Sequence, residues 1–191
     1  FFNLKAIVPE HFSAISEAEL ITERRISKEK EYSFTFTHPL DRITFVAAQY
    51  AVTHESYNTV DIYTYFFPQD SSLAEEYRKH TKSYLDMYRE IFGPYPYKRF
   101  SIVENFFPTG YSMPTFTLLG RSVVRLPFIT STSLGHEILH QWFGNYVFAD
   151  FKNGNWCEGL TSYLSDYFHE EQKEPGWLHR KKLLLDYRNY V

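Results

Sequence analysis

The chain has 191 residues, of which 43% are hydrophobic and 23% charged, with a formal net charge of -3 and a single cysteine, Cys157. This is the composition of a globular, soluble domain with a sizeable core. It excludes an internal disulfide, shows no basic stripe that would bind nucleic acid, and contains no apolar run long enough to span a bilayer.

The first third reads as β. Tyr32-Ser33-Phe34-Thr35-Phe36 alternates with period two, and 43–50 and 60–67 are β-branched or aromatic runs. Pro39-Leu40-Asp41 predicts a turn between the first two. Pro68 to Ser72 then reads as a loop, and Ser72 with Glu75 has the form of a capping box. A helix is predicted over 73–92, with Leu73, Tyr77, Tyr84, Tyr88 and Ile91 on one face and Gly93-Pro94 as its stop. A domain boundary is expected near residue 67, giving a β-rich unit over 1–67 and a second unit over 68–191. Short strands are predicted over 97–104, 115–119 and 122–126, with a turn at Pro108-Thr109-Gly110. From Thr132 onward the pattern is helical: one helix over 133–143 ending at Gly144, a second over 158–171, and a third with Pro175 in its first turn. The fold class is therefore α+β. Phe1 to Lys5 lacks a starting Met and a signal-peptide pattern, so the chain is expected to be a piece of a longer protein, and its compartment stays open.

The residues that carry chemistry are His136-Glu137-Ile138-Leu139-His140. Four residues apart on a helix, the two imidazoles lie one turn apart on one face and can converge on one ion. Zinc accepts neutral imidazole and prefers four ligands; a catalytic site uses three from the protein and one water, which Glu137 can reach as a general base. Leu134, Ile138, Leu139, Trp142 and Phe143 supply an apolar surround. The third ligand candidate is Glu158, separated from His140 by seventeen residues, at the start of the following helix. The alternative for Glu158 is a carboxylate that merely complements a helix N-terminus, and Asp150 is the runner-up ligand. Asp166, two turns beyond Glu158, is a candidate for orienting an imidazole. His169 and His179 read as surface residues, and Tyr187 and Tyr190 as packing residues.

His136 to Asn145, followed by Asn155-Trp156-Cys157-Glu158-Gly159-Leu160, resembles the membrane alanyl aminopeptidase family of zinc metallopeptidases. Ile91-Phe92-Gly93-Pro94-Tyr95-Pro96-Tyr97 resembles the stretch before that family's active-site strand. The resemblance implies that 1–67 is the tail of an N-terminal β domain and 68–191 the first half of a thermolysin-like zincin domain, a mixed sheet with active-site helices. It implies one zinc ion per chain held by His136, His140 and Glu158, with Glu137 as base and later proton donor. The spacing from His140 to Glu158 is one residue shorter than is usual in the family. The resemblance also implies peptide or protein substrates, aligned on an edge strand formed by Gly110, Tyr111, Ser112 and Met113, although this segment can equally be a tight turn with no substrate role. The family's Gly-x-Met-Glu-Asn element, whose glutamate holds the substrate amine, here reads Gly110-Tyr111-Ser112-Met113-Pro114-Thr115, and Pro114 stands where that glutamate is expected. Glu104 is a candidate substitute. The family's oxyanion-stabilising tyrosine would fall beyond Val191. A non-catalytic, zinc-containing peptide-binding module is the alternative function.

Overall fold

The computed structural model describes residues 1–108, 110–154, 156–171 and 176–190. Asn155 and Pro175 lie outside the described residues, as do the side chains of Asp166, His169 and Tyr190.

Among the described residues ten strands form three sheets. Strands β1 (Phe2–Pro9), β3 (Leu20–Ile26) and β4 (Glu29–Phe36) make an antiparallel sheet in the order β1-β4-β3. The period-two reading holds here: Tyr32, Phe34 and Phe36 are buried on one face of β4. Strands β2 (Ser13–Ser16) and β5 (Phe45–Ala48) form a small antiparallel pair. Strands β6 (Ala51–Tyr57), β7 (Val60–Phe66), β8 (Arg99–Asn105), β9 (Gly110–Met113) and β10 (Phe116–Gly120) build the mixed five-stranded sheet, ordered β6-β7-β8-β10-β9. Its centre, β8 and β10, is buried at every residue, as expected for parallel strands covered on both faces. The sheet takes two strands from before residue 67 and three from after it, and β7 pairs directly with β8, so the boundary expected near residue 67 falls inside one hydrogen-bonded sheet.

Helix α1 (Ala74–Phe92) is the crossover between the parallel strands β7 and β8. Tyr77, Tyr84 and Tyr88 lie on its buried face, together with Ala74, Thr81 and Leu85. Ile91 does not share that face and is exposed. The expected capping box is absent: Pro68 starts a 3-10 turn over Pro68–Leu73, which takes Ser72 into its last turn, and Leu73 caps α1 without a side-chain bond. The strand predicted over 122–126 is instead helix α2 (Arg121–Val124). The strand ends at Gly120, where the Phe107 carbonyl passes so close that a Cβ would collide with its oxygen, so only glycine fits. Val124, β-branched and strand-like in sequence, is buried against α1, where its carbonyl accepts the Tyr77 hydroxyl at 3.0 Å.

Helix α3 (Ser133–Leu139) packs on α1 through Leu134, Ile138 and Leu139. Beyond it come α4 (Trp156–Ser162), a π-helical turn (Tyr163–Tyr167), α5 (Phe168–Glu171) and α6 (Trp177–Tyr190). The long helix expected over 158–171 is thus interrupted by one wide turn. Among the described residues no helix is long and apolar enough to cross a membrane.

Candidate metal centre

The centre is built where α3 faces α4 across the open edge of β9. Two tyrosines of α1 position α3. The Tyr88 hydroxyl donates to the Gly135 carbonyl at 3.1 Å, and the Tyr84 ring lies where a Cβ on Gly135 would stand, 2.5 Å from its Cε1. Regular helix ends at Leu139, shorter than the predicted 133–143, and the chain tightens so that Gln141 and Trp142 N–H groups reach back to the carbonyls of Ile138 and Leu139. Gly144, at φ +104°, turns the chain out, as its place in the sequence suggested.

His136, His140 and Glu158 meet. The two Nε2 atoms are 3.1 Å apart, and Glu158 carboxylate oxygens lie 3.4 Å from His136 Nε2 and 3.3 Å from His140 Nε2. Ligand atoms about 2.1 Å from a tetrahedral ion would stand roughly 3.4 Å from one another, so the spacing suits zinc. Proton placement gives the same answer. The Phe143 carbonyl can only accept, so its 3.1 Å contact with His140 Nδ1 puts the proton on Nδ1. Ser165 donates its hydroxyl proton to the Thr161 carbonyl at 2.7 Å, and therefore accepts from His136 Nδ1 at 3.4 Å. Both Nε2 atoms then present lone pairs to each other and to a carboxylate, an arrangement that calls for a cation. Burial holds the His140 pKa below its ordinary value, with the nearby His136 adding to the effect, and so favours the neutral imidazole that metal binding needs. Among the described residues these three form the group of His, Cys, Asp and Glu side chains close enough to hold an ion.

Glu137 faces the same cleft, about 390 Å³ in volume, which is lined also by Gly110, Tyr111, Ser112, Gly144, Asn145 and Cys157. Its carboxylate lies so close to Gly110 that a Cβ there would come within 2.7 Å of Oε1. Gly110 to Met113 do form an edge strand, β9, at the end of the five-stranded sheet. A network that sequence reasoning missed fastens this strand to α3. The buried Gln141 amide donates to Ser112 Oγ at 2.8 Å and to the Met113 carbonyl at 2.9 Å, and its oxygen accepts the Thr115 N–H at 2.8 Å. Ser112 Oγ also receives Asn145 Nδ2 at 3.0 Å and donates to the Glu137 carbonyl at 2.9 Å. These pairs lie 25 to 33 residues apart, and no local sequence signal announces them. Met113 does not line the cleft; its side chain packs with Ile15, Tyr65 and Phe116.

Other candidates go elsewhere. Glu104 is fully buried; its Oε2 accepts the Phe67 N–H at 2.7 Å, and it does not reach the cleft. Asp150 caps the short turn over Phe151–Asn153 by accepting the Lys152 N–H at 3.1 Å. Tyr187, expected to pack, is exposed, and His179 is half-buried beside the Tyr167 ring. Ser165 and Cys157 contact the imidazole system, and neither was singled out from sequence. The π turn sets Ser165 opposite His136, a device that recurs at functional sites.

No family model matches the chain. It is 24% identical over 209 residues to aminopeptidase N of Oryctolagus cuniculus and 24% identical over 203 residues to glutamyl aminopeptidase of Rattus norvegicus. Each match covers 97% of this chain but 21% of the relative, so the chain spans about a fifth of the length of these curated relatives. Over 56 residues, 29% of this chain and 6% of the relative, it is 38% identical to aminopeptidase N of Homo sapiens. Among solved structures, an M1 zinc metallopeptidase from Deinococcus radiodurans superposes with a TM-score of 0.72 at 20% identity, covering 97% of this chain and 44% of that one. A two-domain M1 zinc metallopeptidase mutant bound to L-arginine gives a TM-score of 0.70 at 18% identity, with the same coverage. The chain has the mixed α+β fold of these metallopeptidases and is an atypical relative, at low identity, of the aminopeptidase family that the motif resembles.

Proposed function

We propose that this chain carries the metal-binding part of a zinc peptidase site that hydrolyses peptide bonds in peptide or protein substrates. The observation that carries the reading is the meeting of two imidazole nitrogens and a carboxylate, all 3.1 to 3.4 Å apart, beside Glu137 in one cleft. Likeness to two aminopeptidases supports peptide as the substrate class. Because the chain spans about a fifth of those relatives, the activity is proposed for the protein at its full natural length.

His136, His140 and Glu158 would hold one zinc ion per chain. A zinc ion held there would acidify a water and polarise the scissile carbonyl. Glu137 is placed to take a proton from a water in the cleft and to hand it to the departing amine. Gly110, Tyr111, Ser112 and Met113, as the edge strand β9, align the substrate main chain. Pro114 offers no carboxylate to a substrate amine, and Glu104 is committed to the interior, so this is not the usual aminopeptidase arrangement. The division between the β-rich part and the site-bearing part is placed between β5 and β6.

The test is elemental analysis beside peptidase assays, with and without chelator, on the parent, His140→Ala and Glu137→Gln. About one zinc is expected in the parent and little in His140→Ala. Glu137→Gln is expected to keep zinc and to lose activity by about a thousandfold. A folded parent without zinc would sink the metal assignment, and undiminished turnover in Glu137→Gln would sink the base.

A further inference from the structure

The cleft at the metal centre continues past the end of β9. A second groove, about 350 Å³, joins it through the shared residues Tyr111, Ser112, Gly144 and Asn145, and Glu17 lines that groove beside Pro114. Glu17 follows β2 directly. The next residue, Ala18, donates its N–H to Thr115 Oγ1 at 3.3 Å, which ties this end of β2 to the turn between β9 and β10.

Glu17 is 1% exposed. Its carboxylate accepts the Thr44 N–H on both oxygens, at 3.1 and 2.9 Å, and the Ser16 hydroxyl on Oε2 at 3.2 Å. A carboxylate has about four acceptor sites, so there is capacity for a further donor. Both present donors are neutral, and among the described residues no lysine, arginine or histidine acts on it. A glutamine would hold the Thr44 N–H equally well without burying a charge, a cost that a cation beside the carboxylate offsets. Burial accordingly pushes the Glu17 pKa up. Asp41 and Arg42 also line the groove; both are exposed, and they carry opposite signs.

We infer that Glu17 anchors an ammonium group of the substrate in this groove while the peptide main chain lies along β9. The inference rests on the peptidase reading above, which puts the substrate on that strand. Gly110 stands against Glu137, and Met113 is three residues further on, about 10 Å away at a rise of roughly 3.3 Å per residue. The α-amine of the residue whose carbonyl is attacked lies within about 3 Å of that carbonyl and does not reach so far. A lysine side chain reaches it, with its methylene stem along Leu40, Phe148 and Ala149. A chain end two or three residues from the cut bond brings the same ammonium.

The experiment measures binding, by fluorescence anisotropy, to the full-length, zinc-loaded protein in which Glu137→Gln halts turnover. The probe is an alanine-rich octapeptide labelled at its C-terminus, with lysine or norleucine at its centre and a free or an acetylated amine. At least one ammonium-bearing form is expected to bind about tenfold more tightly than the acetylated norleucine form. Adding Glu17→Gln is expected to erase that preference, with zinc content and binding of the acetylated norleucine form unchanged. A preference that follows lysine identifies the side chain as the source, and one that follows the free amine identifies the chain end. Equal binding of all forms to the protein with Glu17 intact would overturn the inference, as would a preference that survives Glu17→Gln. Cleavage by the parent is followed alongside. Turnover without the preference overturns the ammonium site and leaves the peptidase reading standing, whereas the preference without turnover keeps the site and sinks that reading.

Discussion

Glu137 and Gly110 show how much one side chain can decide. The proposed base is confined because Gly110 lacks a Cβ, the position of which would lie 2.7 Å from Glu137 Oε1. Gly110→Ala therefore has to displace the carboxylate, while the imidazoles, held from behind by Phe143 and Ser165, keep their places. The expected outcome is a fall in kcat of about a hundredfold with zinc content unchanged, since misplacing a reacting group by about 1 Å costs that much. Loss of zinc in parallel with activity would show that Gly110 supports the whole centre rather than the base alone. The two imidazoles were legible from sequence as a pair because helical spacing alone brings residues four apart onto one face, and the carboxylates from their places beside and after that pair in the motif. Gln141, Ser112 and Ser165 were not, because their partners come from other elements and the folded chain alone brings them together.

Between elements, two packed contacts decide how the site is held. Helix α3 approaches α1 closely enough that Gly135 touches the Tyr84 ring. Ala is the better helix former by about 1 kcal/mol. A methyl at Gly135, however, meets a buried aromatic ring that cannot move aside, and overpacking costs about 1 to 3 kcal/mol. Gly135→Ala is accordingly expected to lower the urea midpoint, and a raised midpoint would refute the close contact. The second contact joins β8, the turn before α1, and α2. Glu104 is buried there beside Asp70, which Arg125 holds with two bonds of 2.8 Å. Burial, with the neighbouring Asp70, raises the Glu104 pKa from 4.5 to about 7. Between those values the unfolded chain gives up this proton and the folded chain retains it, so the folded state binds more protons and stability falls as pH rises through that window. Glu104→Gln keeps an acceptor for the Phe67 N–H and a donor toward Asp70, and is expected to flatten the slope in a pH series of unfolding midpoints. A slope unchanged by the substitution would assign it to other groups. Here sequence and structure part for physical reasons. The periodicity of α1 reported its buried tyrosines, whereas Arg121 to Leu126 carried strand-like residues into a place where the sheet had already ended.

At the scale of the whole molecule, the five-stranded sheet is the frame on which the cleft is hung. Its outer strand β9 forms one wall of that cleft, and its other end, β6 and β7, comes from the part of the chain that composition assigned to a different unit. The shift in composition near residue 67 was real, from β-rich to helical, but it marks the start of the crossover helix within a β-α-β unit. Ile62 and Phe66 of β7 are fully buried and pack in the same core as Tyr77, Tyr88, Leu134 and Leu139, so the strand before the boundary shares its apolar contacts with the helix that bears the two candidate histidine ligands. Removing β6 and β7 would strip β8 of its parallel partner on one side and open that core, a loss far above the few kcal/mol by which a domain of this size exceeds its unfolded state. A chain beginning at residue 68 is therefore expected to show no cooperative thermal transition and no zinc retention, while one beginning at residue 50 keeps the complete sheet and the metal centre. The comparison is made by circular dichroism melting beside elemental analysis. A cooperative transition with bound zinc in the shorter chain would put the division back at residue 67.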